Sequence, residues 1–111
     1  MNGREVFKHA VKRFPEAINE ALKKNNLKIN QLDILIPHQA NSRITEFVAK
    51  KMKIPKEKII SNIDRVGNTT SASIPIAFSE AVLTKKIKKG QNIILAAFGS
   101  GFTWGSALIK W

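Results

Sequence analysis

Apolar residues recur every three or four positions in the first part of the chain, which predicts a helix over residues 4 to about 25. Pro15 interrupts this pattern, so we expect a kink or a restart there, with Pro15 in a first turn. Asn25–Asn26 predicts the end of the helix. Its apolar face consists of Phe7, Val11, Phe14, Ile18 and Leu22.

Two further helices are predicted. The first follows Asn41 or Ser42, either of which can cap it, and ends before Pro55. The second runs from about residue 71 to 87, with Pro75 in its first turn, after a polar loop over residues 61–70. The expected buried positions are Ile44, Phe47, Val48 and Met52 in the first helix and Ala77, Phe78, Ala81 and Val82 in the second.

Apolar runs predict two strands buried on both faces, at residues 32–36 and 92–98. Residues 59–60 predict a brief extended piece, and alternation over residues 102–110 predicts a last strand after a tight turn. The order of elements predicts an α/β fold, with a mixed β-sheet flanked by α-helices and a final hairpin. Few elements remain to cover both faces of the buried strands, which suggests that a partner half is missing. The last strand places Phe102, Trp104 and Leu108 on one face.

The composition is that of one globular domain, with 111 residues, 43% of them hydrophobic and 24% charged. The absence of cysteine excludes a disulfide scaffold, a thiolate zinc site, an iron–sulfur cluster and a cysteine nucleophile within this sequence. No apolar run approaches the roughly 18 residues of a membrane span. The first residues lack the apolar core of a secretory signal, so we expect a cytoplasmic protein without a membrane partner.

The net charge of +11 favours an anionic partner. The alternative is that the lysines are solvated residues at helix ends, where cations complement the helix dipole. No interleaved aromatic residues and no nucleic-acid-binding motif accompany them, so we expect no nucleic-acid partner. The lysine clusters are Lys23–Lys24, Lys50–Lys53, Lys56–Lys58 and Lys85–Lys89.

Two polar segments carry candidate chemistry. His38 follows a buried strand, at the edge where α/β sheets bind ligands, and its imidazole can donate a hydrogen bond or act as an acid or base. The alternative is a structural histidine in a loop. Asn68 follows Gly67 in a polar loop and can present a carboxamide donor to a cleft, or it can be an ordinary turn residue.

A third candidate is the glycine-containing turn within residues 98–102. Its glycines allow a backbone N–H to approach a ligand and donate to an oxyanion, although a simple hairpin turn has the same residues. We interpret His9 as a surface histidine, and the pattern of ligand residues predicts no metal site.

Together these segments resemble the C-terminal half of 3-oxoacyl-(acyl-carrier-protein) synthase III, a ketoacyl synthase of the thiolase superfamily. Residues 2–8 are also similar to the segment that begins that half, so the resemblance covers the whole chain. It implies a thiolase-like fold of two similar halves. It also implies the condensation of acyl-CoA with malonyl-carrier protein that starts type II fatty acid synthesis. The motifs are Pro-His-Gln-Ala-Asn at 37–41, Val-Gly-Asn-Thr-Thr-Ser-Ala-Ser at 66–73 and Phe-Gly-Ser-Gly-Phe-Thr-Trp-Gly-Ser-Ala at 98–107.

The resemblance implies catalytic roles for three residues. His38 and Asn68 match the histidine and asparagine that donate hydrogen bonds to the malonyl thioester and stabilise the enolate formed on decarboxylation. Ser100 matches the backbone that completes an oxyanion hole over the acylated cysteine. Many members have glycine at this position, and a backbone donor tolerates that change.

The resemblance also implies contacts with substrate and partner. Asn41 matches a residue near the pantetheine arm, and Gly3 and Phe7 match neighbours of the coenzyme A channel. Arg43 matches a basic position that docks the acidic acyl carrier protein. No resident cofactor is implied, because coenzyme A and phosphopantetheine thioesters are substrates.

The family's nucleophilic cysteine belongs to the N-terminal half, which is not part of this sequence. We therefore expect a single domain over residues 1–111 that acts within a longer or split enzyme and does not condense substrates alone. The alternative is a non-catalytic orphan half that binds carrier protein or coenzyme A.

Overall fold

The computed structural model describes residues 3–38, 41–99 and 102–111. Their order of helices and strands confirms the predicted α/β arrangement. Single 3₁₀ turns lie at Ile29–Gln31, Lys56–Lys58 and Thr70–Ala72. The helices and strands are α1 (Gly3–Lys24), β1 (Ile34–Pro37), α2 (Ser42–Met52), α3 (Ile63–Val66), α4 (Ser73–Leu83), β2 (Asn92–Gly99) and β3 (Thr103–Lys110).

The three strands form one sheet in the order β1-β2-β3. The sequence predicts a mixed sheet with a final hairpin, and the structure has both. β1 pairs with β2 in parallel, with Pro37 opposite Ala96. β2 and β3 form an antiparallel hairpin, with Phe98 opposite Trp104. The predicted extended piece at residues 59–60 contributes one parallel bridge, between Leu35 and Ile59.

Hydrophobic clusters lie on both faces of this sheet. One joins α1 and α2 to Leu35 and Ile94, and the other joins α4 to Ile36 and Ile93. Neighbouring strand residues point to opposite faces, so both faces of β1 are covered by this chain. The exposed strand is β3, where Trp104 is 42% exposed.

Helix α1 is continuous through Pro15, so the predicted restart is wrong. Proline removes one backbone donor from the helix, but Phe14, Ala17 and Ile18 are buried on either side of it. Tertiary packing of this face against the sheet outweighs the local cost of one proline.

Three local predictions are also corrected. Phe47 is 45% exposed and lies outside the core stripe, because it packs against Phe7 near the surface. Helix α4 ends at Leu83 and not near residue 87, because Lys85 adopts a left-handed conformation with φ of 60°. The predicted loop over residues 61–70 contains the short helix α3.

Within the described ranges, no helix has both the length and the apolar character needed to cross a membrane.

Candidate active site

The structure places His38 directly after β1, at the edge of the sheet that the sequence predicts. Its backbone N–H donates to the carbonyl of Ala96 on β2 at 2.8 Å. Because β1 and β2 are parallel, their carboxyl ends share this edge. β2 ends nearby at Gly99, so the candidate turn within residues 98–102 begins at the same edge.

The imidazole of His38 contacts the start of helix α4. Its Nδ1 lies 2.5 Å from the hydroxyl oxygen of Ser73, which is the first residue of that helix and 1% exposed. Burial lowers the pKa of His38 below its ordinary value of 6.5. The ring is therefore mainly neutral at pH 7, with one nitrogen carrying a hydrogen and the other a lone pair.

Asn68 lies in the segment that leads from α3 into α4. Gly67 precedes it with φ of 68° and ψ of −163°, a conformation that is essentially confined to glycine. Asn68 is exposed, and the chain from it reaches Ser73 through the 3₁₀ turn at Thr70–Ala72. The segment that carries the asparagine is thus joined directly to the residue that contacts His38.

Polar contacts between α3 and α4 hold the start of this segment in place. Arg65 donates to one carboxylate oxygen of Glu80 at 2.6 Å. The buried Asn62 donates to the other oxygen at 3.3 Å. The hydrogen bond from Arg65 lowers the pKa of Glu80, with a smaller contribution from Asn62.

The predicted substrate and carrier residues lie at the adjoining ends of α1 and α2. The Arg43 guanidinium carbon is 5.9 Å from the Phe7 ring centroid, and Phe7 packs edge-on against Phe47 at 6.0 Å. Asn41 caps α2 by accepting a hydrogen bond from the Arg43 backbone at 2.8 Å. Gly3 begins α1, one helical turn before Phe7.

Aromatic residues line the beginning and end of the β2–β3 connection. Phe98 is buried, and Phe102 stacks on it with ring centroids 5.5 Å apart. The His9 ring also stacks on Phe102, with ring centroids 4.4 Å apart. His9 is therefore half-buried, whereas the sequence predicts a surface histidine. Ser100, the predicted oxyanion residue, lies outside the described residues.

One groove of about 250 Å³ lies elsewhere, between the end of α1 and β3. Its walls include Glu20, Lys24 and Trp104, and none of the predicted catalytic residues. This groove is therefore separate from the candidate catalytic residues that the structure describes.

Known proteins of one family match this chain in sequence and in fold. The C-terminal family of 3-oxoacyl-[acyl-carrier-protein (ACP)] synthase III matches residues 22–111. Beta-ketoacyl-[acyl-carrier-protein] synthase III of Clostridium perfringens is 54% identical over 110 residues, which are 99% of this chain and 34% of that protein. The solved synthase III structures from Thermus thermophilus and Aquifex aeolicus both superpose with a TM-score of 0.97, at 43% and 47% identity. Both matches cover 100% of this chain, and they cover 35% and 36% of those chains.

The superposition on the synthase III structures identifies the mixed sheet with helices on both faces as a thiolase-like α/β unit. The chain belongs to the 3-oxoacyl-(acyl-carrier-protein) synthase III family, and it corresponds to the C-terminal part of that family's members. It spans about a third of the length of the curated relatives that it matches, 34% in the Clostridium protein. The predicted family and fold are both confirmed.

Two residues at the candidate site were missed in the sequence. Ser73 ends the second quoted motif, but only the packing of α4 on β1 brings it to His38. Phe47 has helical spacing that fits a core stripe, and its contact with Phe7 depends on how α1 packs against α2. In both cases the sequence showed a residue of a suitable type in or near a candidate segment. It did not show which residue this side chain would contact.

Proposed function

We propose that this chain is the decarboxylating part of a 3-oxoacyl-(acyl-carrier-protein) synthase III that joins an acyl group from acyl-CoA to malonyl-acyl carrier protein. In this reaction the bond between the malonyl methylene carbon and its carboxylate breaks, and CO₂ leaves. The electron pair passes into the thioester as an enolate, which then attacks an acyl-cysteine and releases the thiolate. The product starts type II fatty acid synthesis.

The position of His38 carries this proposal. A mainly neutral imidazole, fixed at the carboxyl edge of the sheet, supplies an N–H donor without adding a proton to the substrate. A donor of this kind stabilises negative charge that develops on the thioester oxygen. Asn68 is proposed as the second donor to the same oxygen, through its carboxamide.

The turn that follows β2 is proposed to serve the other half of the reaction. A backbone N–H at Ser100 would donate to the oxygen of the acyl-cysteine thioester, which becomes negative when the enolate attacks. The cysteine is proposed to lie in an upstream thiolase-like half, because this sequence contains none.

The carrier and coenzyme A contacts are proposed for the adjoining ends of α1 and α2. Arg43 is exposed in the first turn of α2, where a cation is unfavourable for the helix dipole. Proteins break such local rules at functional sites, and this supports a docking role for Arg43. Phe7 beneath it, with Gly3 and Asn41, would line the path of the pantetheine arm.

We expect His38→Ala and Asn68→Ala, made in the intact enzyme that carries this region, to lower the rate of malonyl decarboxylation by about 100- to 1,000-fold. Cysteine acylation by acyl-CoA should continue in both variants, because neither residue is assigned to that step. The two half-reactions are measured separately, as CO₂ release and as radiolabelled acyl-enzyme.

The control is His9→Ala, which removes the chain's other histidine from a position outside the proposed donor pair. This control should decarboxylate malonyl-carrier protein at the wild-type rate. Loss of acylation with normal decarboxylation in the His38 and Asn68 variants would contradict the assigned roles.

The orphan-half alternative is distinguished by the mass of the native polypeptide. We expect a polypeptide of about three times 12.4 kDa, with a cysteine upstream, since the chain spans 34% of its Clostridium relative. A native mass near 12.4 kDa would favour a binding half or one part of a split enzyme.

A further inference from the structure

The contact between His38 and Ser73 decides which ring nitrogen of the histidine holds the hydrogen. A neutral imidazole has one N–H and one lone pair, and a serine hydroxyl can either donate or accept. The hydroxyl lies 2.5 Å from Nδ1, between groups 35 residues apart in sequence. If the hydroxyl donates, the ring hydrogen is on Nε2; if it accepts, the hydrogen is on Nδ1.

The dipole of α4 favours one of these two arrangements. Ser73 is the first residue of an 11-residue helix, whose amino-terminal end carries partial positive charge. A nitrogen lone pair facing that end is more stable than an N–H bond, which would point its positive hydrogen at it. The helix therefore favours a lone pair on Nδ1.

We propose that the hydroxyl of Ser73 donates to Nδ1 of His38 and so holds the ring hydrogen on Nε2. Ser73 is in this view a positioning residue, which acts through His38 and does not touch the substrate. The catalytic consequence rests on the function proposed above, because Nε2–H is then the donor available to the enolate oxygen. The tautomer itself does not depend on that function.

The first test is nitrogen NMR of the wild-type enzyme, intact and labelled with ¹⁵N-histidine. The His38 signals are assigned by their loss in a His38→Gln variant. We expect Nε2 to show the shift of a protonated nitrogen, and Nδ1 the shift of an unprotonated, hydrogen-bonded one. A protonated Nδ1 overturns the proposal, and this test needs no Ser73 variant to fold.

The second test replaces the hydroxyl. Ser73→Ala should leave His38 in a mixture of tautomers and lower kcat for malonyl decarboxylation about 10- to 100-fold. KM should change little, because the donor acts in the transition state. Ser73→Thr keeps the hydroxyl and should restore the Nε2–H tautomer and most of the rate.

The matched control is Ser79→Ala, the same change at an exposed position of α4. It should match the wild type in both readouts. A Ser73→Ala enzyme with an unchanged tautomer and an unchanged decarboxylation rate overturns the proposal.

Failure of this inference is distinguishable from failure of the proposed function. If His38→Ala abolishes decarboxylation and Ser73→Ala does not, only the positioning role of Ser73 is wrong. If His38→Ala decarboxylates normally, the proposed function is wrong, and the tautomer measurement still tests the hydrogen bond.

Discussion

Two independent attachments hold His38, one through its backbone and one through its ring. The backbone N–H donates to Ala96 of β2, while the ring contacts Ser73 of α4. The first attachment belongs to the sheet and is retained with any residue other than proline at position 38. The second requires an imidazole, so replacing His38 alters the ring contact and leaves the sheet pairing intact.

At the residue scale, we expect acidification to destabilise the protein through His38. Burial holds the pKa of His38 in the folded state below the ordinary value of 6.5, so below that pH the unfolded chain binds more protons than the folded one. The stability that the neutral ring provides is complete above pH 6.5 and is lost as pH falls through the folded pKa. Urea midpoints of the intact enzyme should therefore drop more between about pH 7 and pH 5 than those of His38→Gln. Parallel pH dependence in the two proteins would contradict this expectation.

At the scale of elements, the start of α2 depends on one side chain. Asn41 has extended backbone angles and accepts a hydrogen bond from the Arg43 N–H, which is one of the helix's unpaired amino-terminal donors. The same cap fixes the first turn, where Arg43 lies over Phe7. Loss of the cap would therefore affect both stability and the position of the guanidinium.

Asn41→Ala should destabilise the intact enzyme by about 1 kcal/mol, because it removes the capping acceptor. Asn41→Ser retains an acceptor of suitable length and should remain within a few tenths of a kcal/mol of the wild type. Urea unfolding followed by circular dichroism measures both. Equal stability of the alanine and serine variants would show that the cap contributes nothing.

The sequence was sufficient for elements whose signal is local. The apolar runs predicted β1 and β2, and Asn41, which caps α2, was one of the two capping residues that the sequence predicted. Pro15 led to a wrong prediction of a restart in α1. The sequence shows that proline destabilises a helix, but it does not show the packing of α1 on the sheet that outweighs this effect. The His38–Ser73 contact could not be predicted, since it depends on how α4 packs across β1.

At the scale of the whole molecule, part of the positive charge lies at helix ends. Lys23–Lys24 and Lys50–Lys51 lie in the last turns of α1 and α2, where they complement the helix dipoles. Arg43 lies at the opposite end of α2, over the half-buried Phe7, which packs against the exposed Phe47. We therefore expect specific carrier binding to depend on Arg43 more than on the other cations.

Arg43→Glu in the intact enzyme should weaken binding of an acidic acyl carrier protein roughly tenfold at low salt, and less at high salt, because screening shortens the range of the charge. Lys89→Glu makes the same change of charge in the exposed turn after α4 and serves as the control. Titration calorimetry with the carrier protein compares the two. Equal weakening by both substitutions would point to net charge rather than to a docking residue.

The parallel pairing of β1 with β2 also determines when the site can form during folding. Asp33 and Asn92, whose contact marks the start of this pairing, are 59 residues apart. Closing such a long loop costs conformational entropy before the stabilising contacts can form. The β2–β3 hairpin, in contrast, pairs strands that are adjacent in sequence. During synthesis on the ribosome, the His38 N–H has no strand to pair with until Ala96 has emerged from the exit tunnel. A shorter nascent chain carries the histidine motif without the geometry that would make it catalytic.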